Sequence, residues 1–72
     1  MKKSIHTNER AEFVKRLKRA RIDTGLTQAD VAEKLGCSQS WVSKVELGEL
    51  RVEAMWLNKL AKLYKKRIEY FL

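Results

Sequence analysis

The stretch Thr27–Glu46, TQADVAEKLGCSQSWVSKVE, decides how this chain folds. It reads as two short helices joined by a tight turn. Thr27 is placed to cap the first helix, its hydroxyl reaching a free backbone N–H, with Asp30 in the favourable first turn. Val31, Ala32 and Leu35 recur at i, i+1 and i+4, which gives one apolar stripe. Gly36 stops the helix where a left-handed residue costs least. Ser38 then caps a second helix over Gln39–Leu47, whose apolar face is Val42 and Val45. Helices this short are marginal alone, because nucleation costs more than their few backbone bonds return. They must dock on a core, and the second leaves a polar face pointing outward.

Outward from that stretch, the rest of the chain reads as its support. Residues 1–7 show no periodicity and are expected to form a flexible arm, leaving one domain over 8–72 with the motif at 28–47. His6 stands in the arm without a second metal-type ligand and reads as a solvated histidine. Thr7 or Asn8 can open a helix running to about Thr24, with Phe13, Val14, Leu17 and Ala20 inward and Gly25 ending it. Lys15, Arg16, Lys18 and Arg19 take the other side, either solvated or lying along phosphates. Arg21 sits one helical turn beyond Leu17 and leans toward the core, where a bare guanidinium is expensive. Past the motif, Leu57, Leu60, Ala61 and Tyr64 follow i, i+3, i+4 and i+7 on a helix expected from about Glu53 to Lys65. Ile68, Tyr70, Phe71 and Leu72 end the chain as a short apolar turn or helix.

Size and charge narrow the classes. Seventy-two residues make one domain, and a chain this short buries only about 60% of its unfolded surface. Its single cysteine excludes an internal disulfide and suits a reducing, cytoplasmic setting. No apolar run approaches the roughly 18 residues of a membrane span, and the basic start Met1-Lys2-Lys3 has no apolar segment behind it to make a signal peptide. The net charge of +7 is unevenly spread: residues 1–21 carry +6, residues 22–50 carry −3 and residues 51–72 carry +4. A basic surface points to a polyanion, nucleic acid first and anionic membrane second. Solvated lysines on a helical protein would explain the charge equally well, so the decision falls to the motif.

Turning 100° per residue with Val42 and Val45 inward puts Ser40 and Lys44 almost opposite the core, with Gln39 and Ser43 on one flank and Trp41 on the other. A helix with so bare a face can enter the major groove, which displays distinct donor and acceptor patterns for each base pair. Gln39 can pair bidentately with adenine, Lys44 can donate to guanine and Ser40 can bond either. A merely solvated helix would more usually carry Glu and Lys at i,i+4. Trp41 has two readings, its ring against the sugar–phosphate wall or packed on a neighbouring helix. Ser38 and Arg51 are further candidates for phosphate contact, although Glu49 faces the same way as Arg51 and would repel a phosphate there.

The spacing from Gln28 through Val31, Ala32, Leu35, Gly36, Cys37, Val42 and Val45 resembles the helix-turn-helix of Cro and phage-repressor-type regulators, the xenobiotic-response-element family. LTQADVAEKLG followed by SQSWVSKVELGE is close to the family pattern, and the likeness runs over roughly 13–72. The resemblance implies an all-α, compact five-helix domain of the lambda-repressor type that binds double-stranded DNA and regulates transcription as a repressor. It implies a homodimer with reading helices about 34 Å apart in a bacterial or phage-type cytoplasm, associated with the nucleoid. It also implies that Gln28 bonds a phosphate, that Arg21 pairs with Glu46, and that Cys37 is a small inward hydrophobe. Two positions depart from the pattern: Leu47 replaces a polar, phosphate-bonding residue, and Lys65 replaces the glycine that usually follows the last long helix. Trp56, Leu63 and Tyr70 exceed what one small core needs and form the expected dimer surface.

Two other classes compete. An antitoxin or other protein-interaction module would offer a partner such as a toxin a surface outside the reading helix, for which Trp56 and the C-terminal aromatics are the candidates. Single-stranded nucleic acid wants stacking aromatics on a basic groove, and only Trp41 lies near the motif. Catalytic, cofactor and metal roles have no residues to carry them: no clustered His, Cys or carboxylates, no phosphate-cradling glycine loop, no nucleophile beside a base.

Overall fold

A computed structural model describes the backbone of residues 2–72 and the side chains from Glu9 onward. Its order is α1 (Lys2–Asp23), α2 (Gln28–Leu35), α3 (Gln39–Glu46), α4 (Ala54–Leu63) and a 3-10 turn (Ile68–Phe71), with no strand among the described residues. The molecule is thus all-helical with four α-helices, and a single 3-10 turn stands where a fifth helix was expected. No described helix is long and apolar enough to cross a membrane.

The largest departure is at the start. α1 begins at Lys2 rather than at Thr7 or Asn8, so the expected irregular arm is helical from its second residue. KKSIHTN contains neither Pro nor Gly, so nothing in it interrupts the backbone ladder. Met1 and the side chain of His6 lie outside the described residues.

Three helices end in the same way. Gly25, Gly36 and Gly48 take φ of 74°, 70° and 79°, and behind each the chain closes a pair of bonds that recovers the last carbonyls. After α2, for instance, the Gly36 N–H donates to Glu33 O at 3.3 Å and the Cys37 N–H to Ala32 O at 2.9 Å. The end of α4 repeats these bonds with Lys65 in the glycine's place, at φ 58°. A left-handed backbone costs a side-chain-bearing residue about 1–2 kcal/mol, so this helix end is set by the docking of the segment beyond it, with Phe71 buried, rather than by its own residue.

The core draws on every element. Leu17 and Ala20 of α1, Val31 and Ala32 of α2, Val42 and Val45 of α3, and Leu57, Leu60 and Ala61 of α4 are buried, with Tyr64 and Phe71 sealing the back. The 3-10 turn docks on α1 through the Arg16 guanidinium, which donates to Tyr70 O at 3.3 Å. α2 and α3 pack chiefly on each other, with α1 against α3 and the 3-10 turn bridging α1 and α4.

Candidate nucleic-acid interface

Both motif helices are fixed at their N-termini by their own residues. Thr27 and Asp30 form a reciprocal box: the Asp30 N–H donates to the Thr27 hydroxyl at 3.0 Å, and the Thr27 N–H to the Asp30 carboxylate at 2.9 Å. The bond from the Thr27 N–H holds the Asp30 carboxyl below its usual range. The Ser38 hydroxyl accepts from the Trp41 N–H at 3.1 Å, so Ser38 is exposed but already serves α3 as its cap.

The far end of α3 is clamped by charge. Arg21 meets Glu46 bidentately, Nε to Oε2 at 2.7 Å and Nη2 to Oε1 at 3.1 Å, with side chains only 12% and 6% exposed. A third guanidinium hydrogen goes to Leu26 O at 2.9 Å. The bonds to Glu46 raise the Arg21 pKa, outweighing the burial that opposes it. Fork geometry and low exposure make this a strong class of ion pair. Gln28 joins it by donating Nε2–H to Glu46 Oε1 at 3.0 Å. The residue expected to bond phosphate is therefore oriented from inside the protein, and keeps its second amide hydrogen for an outside partner.

With α3 held at both ends, its outer face is open. Gln39, Ser40 and Lys44 are exposed, Ser43 is half-buried on the flank, and Val42 and Val45 are sealed beneath them. Arg51 and Glu49 are both exposed in the loop beyond. Trp41 takes the packing alternative: its ring lies 5.2 Å from that of Trp56 on α4, tilted by 46°. The Lys59 ammonium covers the Trp56 ring at 4.5 Å. Part of the Trp41 ring is thereby committed to the protein, not to a sugar–phosphate wall.

The expected apolar surplus at the back is not one exposed patch. Trp56, Leu63 and Tyr70 are each half-buried, and each has contacts of its own. Trp56 meets Trp41, Leu63 packs on the core, and Tyr70 stands edge-on to Phe71 at 5.1 Å under the Lys66 ammonium. Cys37 is half-buried against the core, and burial raises its thiol pKa, which suits a packing role.

One contact is not evident from the sequence. The Arg10 guanidinium donates to Gly48 O at 2.8 Å, tying the N-terminal half of α1 to the loop after α3. Arg10, Val14, Leu17 and Arg21 follow i, i+4, i+7 and i+11, so Arg10 lies on the same inward face as the clamp arginine. That periodicity is a signal, but the partner is a carbonyl 38 residues away, and no local pattern announces it.

A family model described as a helix-turn-helix domain matches residues 12–65. No curated protein and no solved structure matches the chain.

Proposed function

The chain belongs to the helix-turn-helix domain family, and on that premise we propose that it is a sequence-specific double-stranded DNA-binding regulator of transcription, acting as a repressor. The observation that carries this reading is the open face of α3: Gln39, Ser40 and Lys44 exposed on a helix whose opposite side is locked into the core. In the major groove Gln39, Ser40, Ser43 and Lys44 read base edges. Gln28 offers its free amide hydrogen to a phosphate, Ser38 and Arg51 flank it, and the uncovered edge of Trp41 borders the backbone. Repression is steric, by occupying a promoter in the cytoplasm of a bacterium or phage-infected cell.

A single small module makes few base contacts, and non-specific binding is roughly micromolar or weaker at physiological salt. Two copies on a pseudo-palindrome, reading half-sites about 34 Å apart, overcome this. The dimer contact is placed in this proposal at the C-terminal end, where Leu72 is exposed beside half-buried Tyr70. Sedimentation with and without the selected duplex tests it; monomer alone at tens of micromolar would remove the dimer.

The direct experiment is selection from random duplexes, followed by the same selection with Lys44→Ala. The variant should lose about 1–3 kcal/mol of binding and relax preference at one base pair. An unchanged sequence preference would show that α3 is not the reader.

A further inference from the structure

Leu47 is 68% exposed at the end of α3, and neither the core nor the reading face uses it. Its backbone is ordinary right-handed helix, φ −85° and ψ −5°, so nothing local demands a leucine there. Beside it lies a groove of about 530 Å³ between α1 and the start of the α3–α4 loop. Ala11, Val14 and Leu47 give it apolar walls, and the Arg10 bond to Gly48 O pins its two sides together. Arg10, Lys15 and Lys18 are exposed and line it with positive charge, Lys15 sharing its ammonium with Glu12 at 3.5 Å in a solvent-exposed pair that a partner's carboxylate can replace. Its only carboxylate, Glu46, is already engaged by Arg21 and Gln28 through both oxygens.

We propose that this groove binds an acidic, amphipathic segment of a partner protein, its apolar side chains on Leu47 and Val14 and its carboxylates on Lys15 and Lys18. Charge complementarity selects this occupant. A second copy of the chain, at +7, would bring its own excess of cations against the same lysines. A DNA backbone would satisfy the lysines but leave Leu47, Val14 and Ala11 facing phosphate and sugar, where burial gains little. The groove's volume lies in the range of sites that hold a few side chains. The inference goes beyond the DNA reading and does not depend on it.

The test is a titration of the full chain, isotopically labelled for NMR, with a synthetic helix-forming peptide bearing leucines on one face and glutamates beside them. Amide shifts should centre on residues 10–18 and 46–48. Leu47→Ser, at an exposed site that leaves the fold intact, should weaken binding about tenfold. Lys15→Glu combined with Lys18→Glu should weaken it by at least as much, and a peptide with lysines in place of its glutamates should not bind. Shifts centred on α3 or around Ile22 and Tyr70, or an affinity indifferent to Leu47→Ser, would overturn the assignment. So would a random-sequence duplex losing as much affinity as the peptide on Leu47→Ser, because the groove would then lie under DNA.

Discussion

The segment that carries the turn, residues 27–49, and the segment behind it, residues 53–72, are held in different ways. In front, Thr27 and Ser38 cap their helices by side-chain bonds, and Gly36 and Gly48 end them in the left-handed conformation. Behind, Glu53 makes no side-chain cap bond to α4, and the left-handed position falls to Lys65. Yet that rear region supplies five of the eleven apolar residues buried among the described ones, Leu57, Leu60, Ala61, Tyr64 and Phe71. Both regions bury apolar side chains, Val31, Ala32, Val42 and Val45 in front, but only the front adds side-chain caps and glycine stops to that burial. A surface that must present fixed side chains to a partner gains most from ends that cannot fray, whereas a backing helix needs only to fill space.

α3 is gripped from two sides, by the ion pair at its end and by the ring of the rear helix, and breaking the two grips in turn tests the contrast. Arg21→Ala should cost about 3–5 kcal/mol, because it leaves the covered Glu46 carboxylate without its counter-charge, with only the Gln28 amide still donating to it. Against the modest stability of a 72-residue domain that unfolds much of the population. A melting temperature matching the parent would refute the clamp. Trp56→Ala removes the grip of the rear segment, a half-buried ring on Trp41, and should cost less, about 1–2 kcal/mol. The emission of Trp41, the one tryptophan left, should shift red as its ring meets water. Equal losses from the two variants would mean that the ion pair holds α3 no more firmly than the ring of the rear helix does.

Lys65→Gly asks whether the rear can be improved by the device the front already has. The substitution relieves a left-handed backbone but also loosens the unfolded chain, so a net gain of about 0.5–1 kcal/mol is expected. Chemical denaturation would show it as a higher midpoint with an unchanged slope. A loss instead would mean that the Lys65 side chain does something for the fold that its backbone conformation conceals.

The same contrast explains which parts of the fold are legible in the residues. The front segment can be read because its instructions are local: a capping threonine with Asp30 three residues on, a glycine at each stop, and valines at helical spacing. The Arg21–Glu46 pairing spans 25 residues and is implied by resemblance to a family, not by any spacing. At the start of α1, a possible cap at Thr7 or Asn8 suggests a boundary that the helix ignores. A cap residue permits a helix to start; without a breaker ahead of it, nothing requires one to start there. The last turn is ambiguous for the opposite reason: Ile68 to Leu72 is apolar enough to be drawn into the core whatever its backbone does. Within the candidate interface, the outward set on α3 is readable from the 100° turn. The internal commitments of Gln28 and Trp41 are not, since both partners lie on other helices.

The smallest effect probes the front segment's own device. Asp30 accepts the Thr27 N–H as a carboxylate, and its pKa is held below that of the free side chain. A group whose folded pKa is depressed contributes stability above its unfolded pKa and loses it as pH falls through the folded value. Asp30→Asn keeps a neutral acceptor at the same place but has nothing to titrate. The parent should therefore melt slightly higher than the variant near neutrality, and the gap should close as the solution is taken below the ordinary carboxyl range near 3.8. The comparison is between two chains that differ only at this side chain, so the difference between the two curves reads its contribution. A gap that persisted unchanged into acid would mean that the box works through geometry alone, and that the charge at the start of α2 contributes nothing to holding the motif in shape.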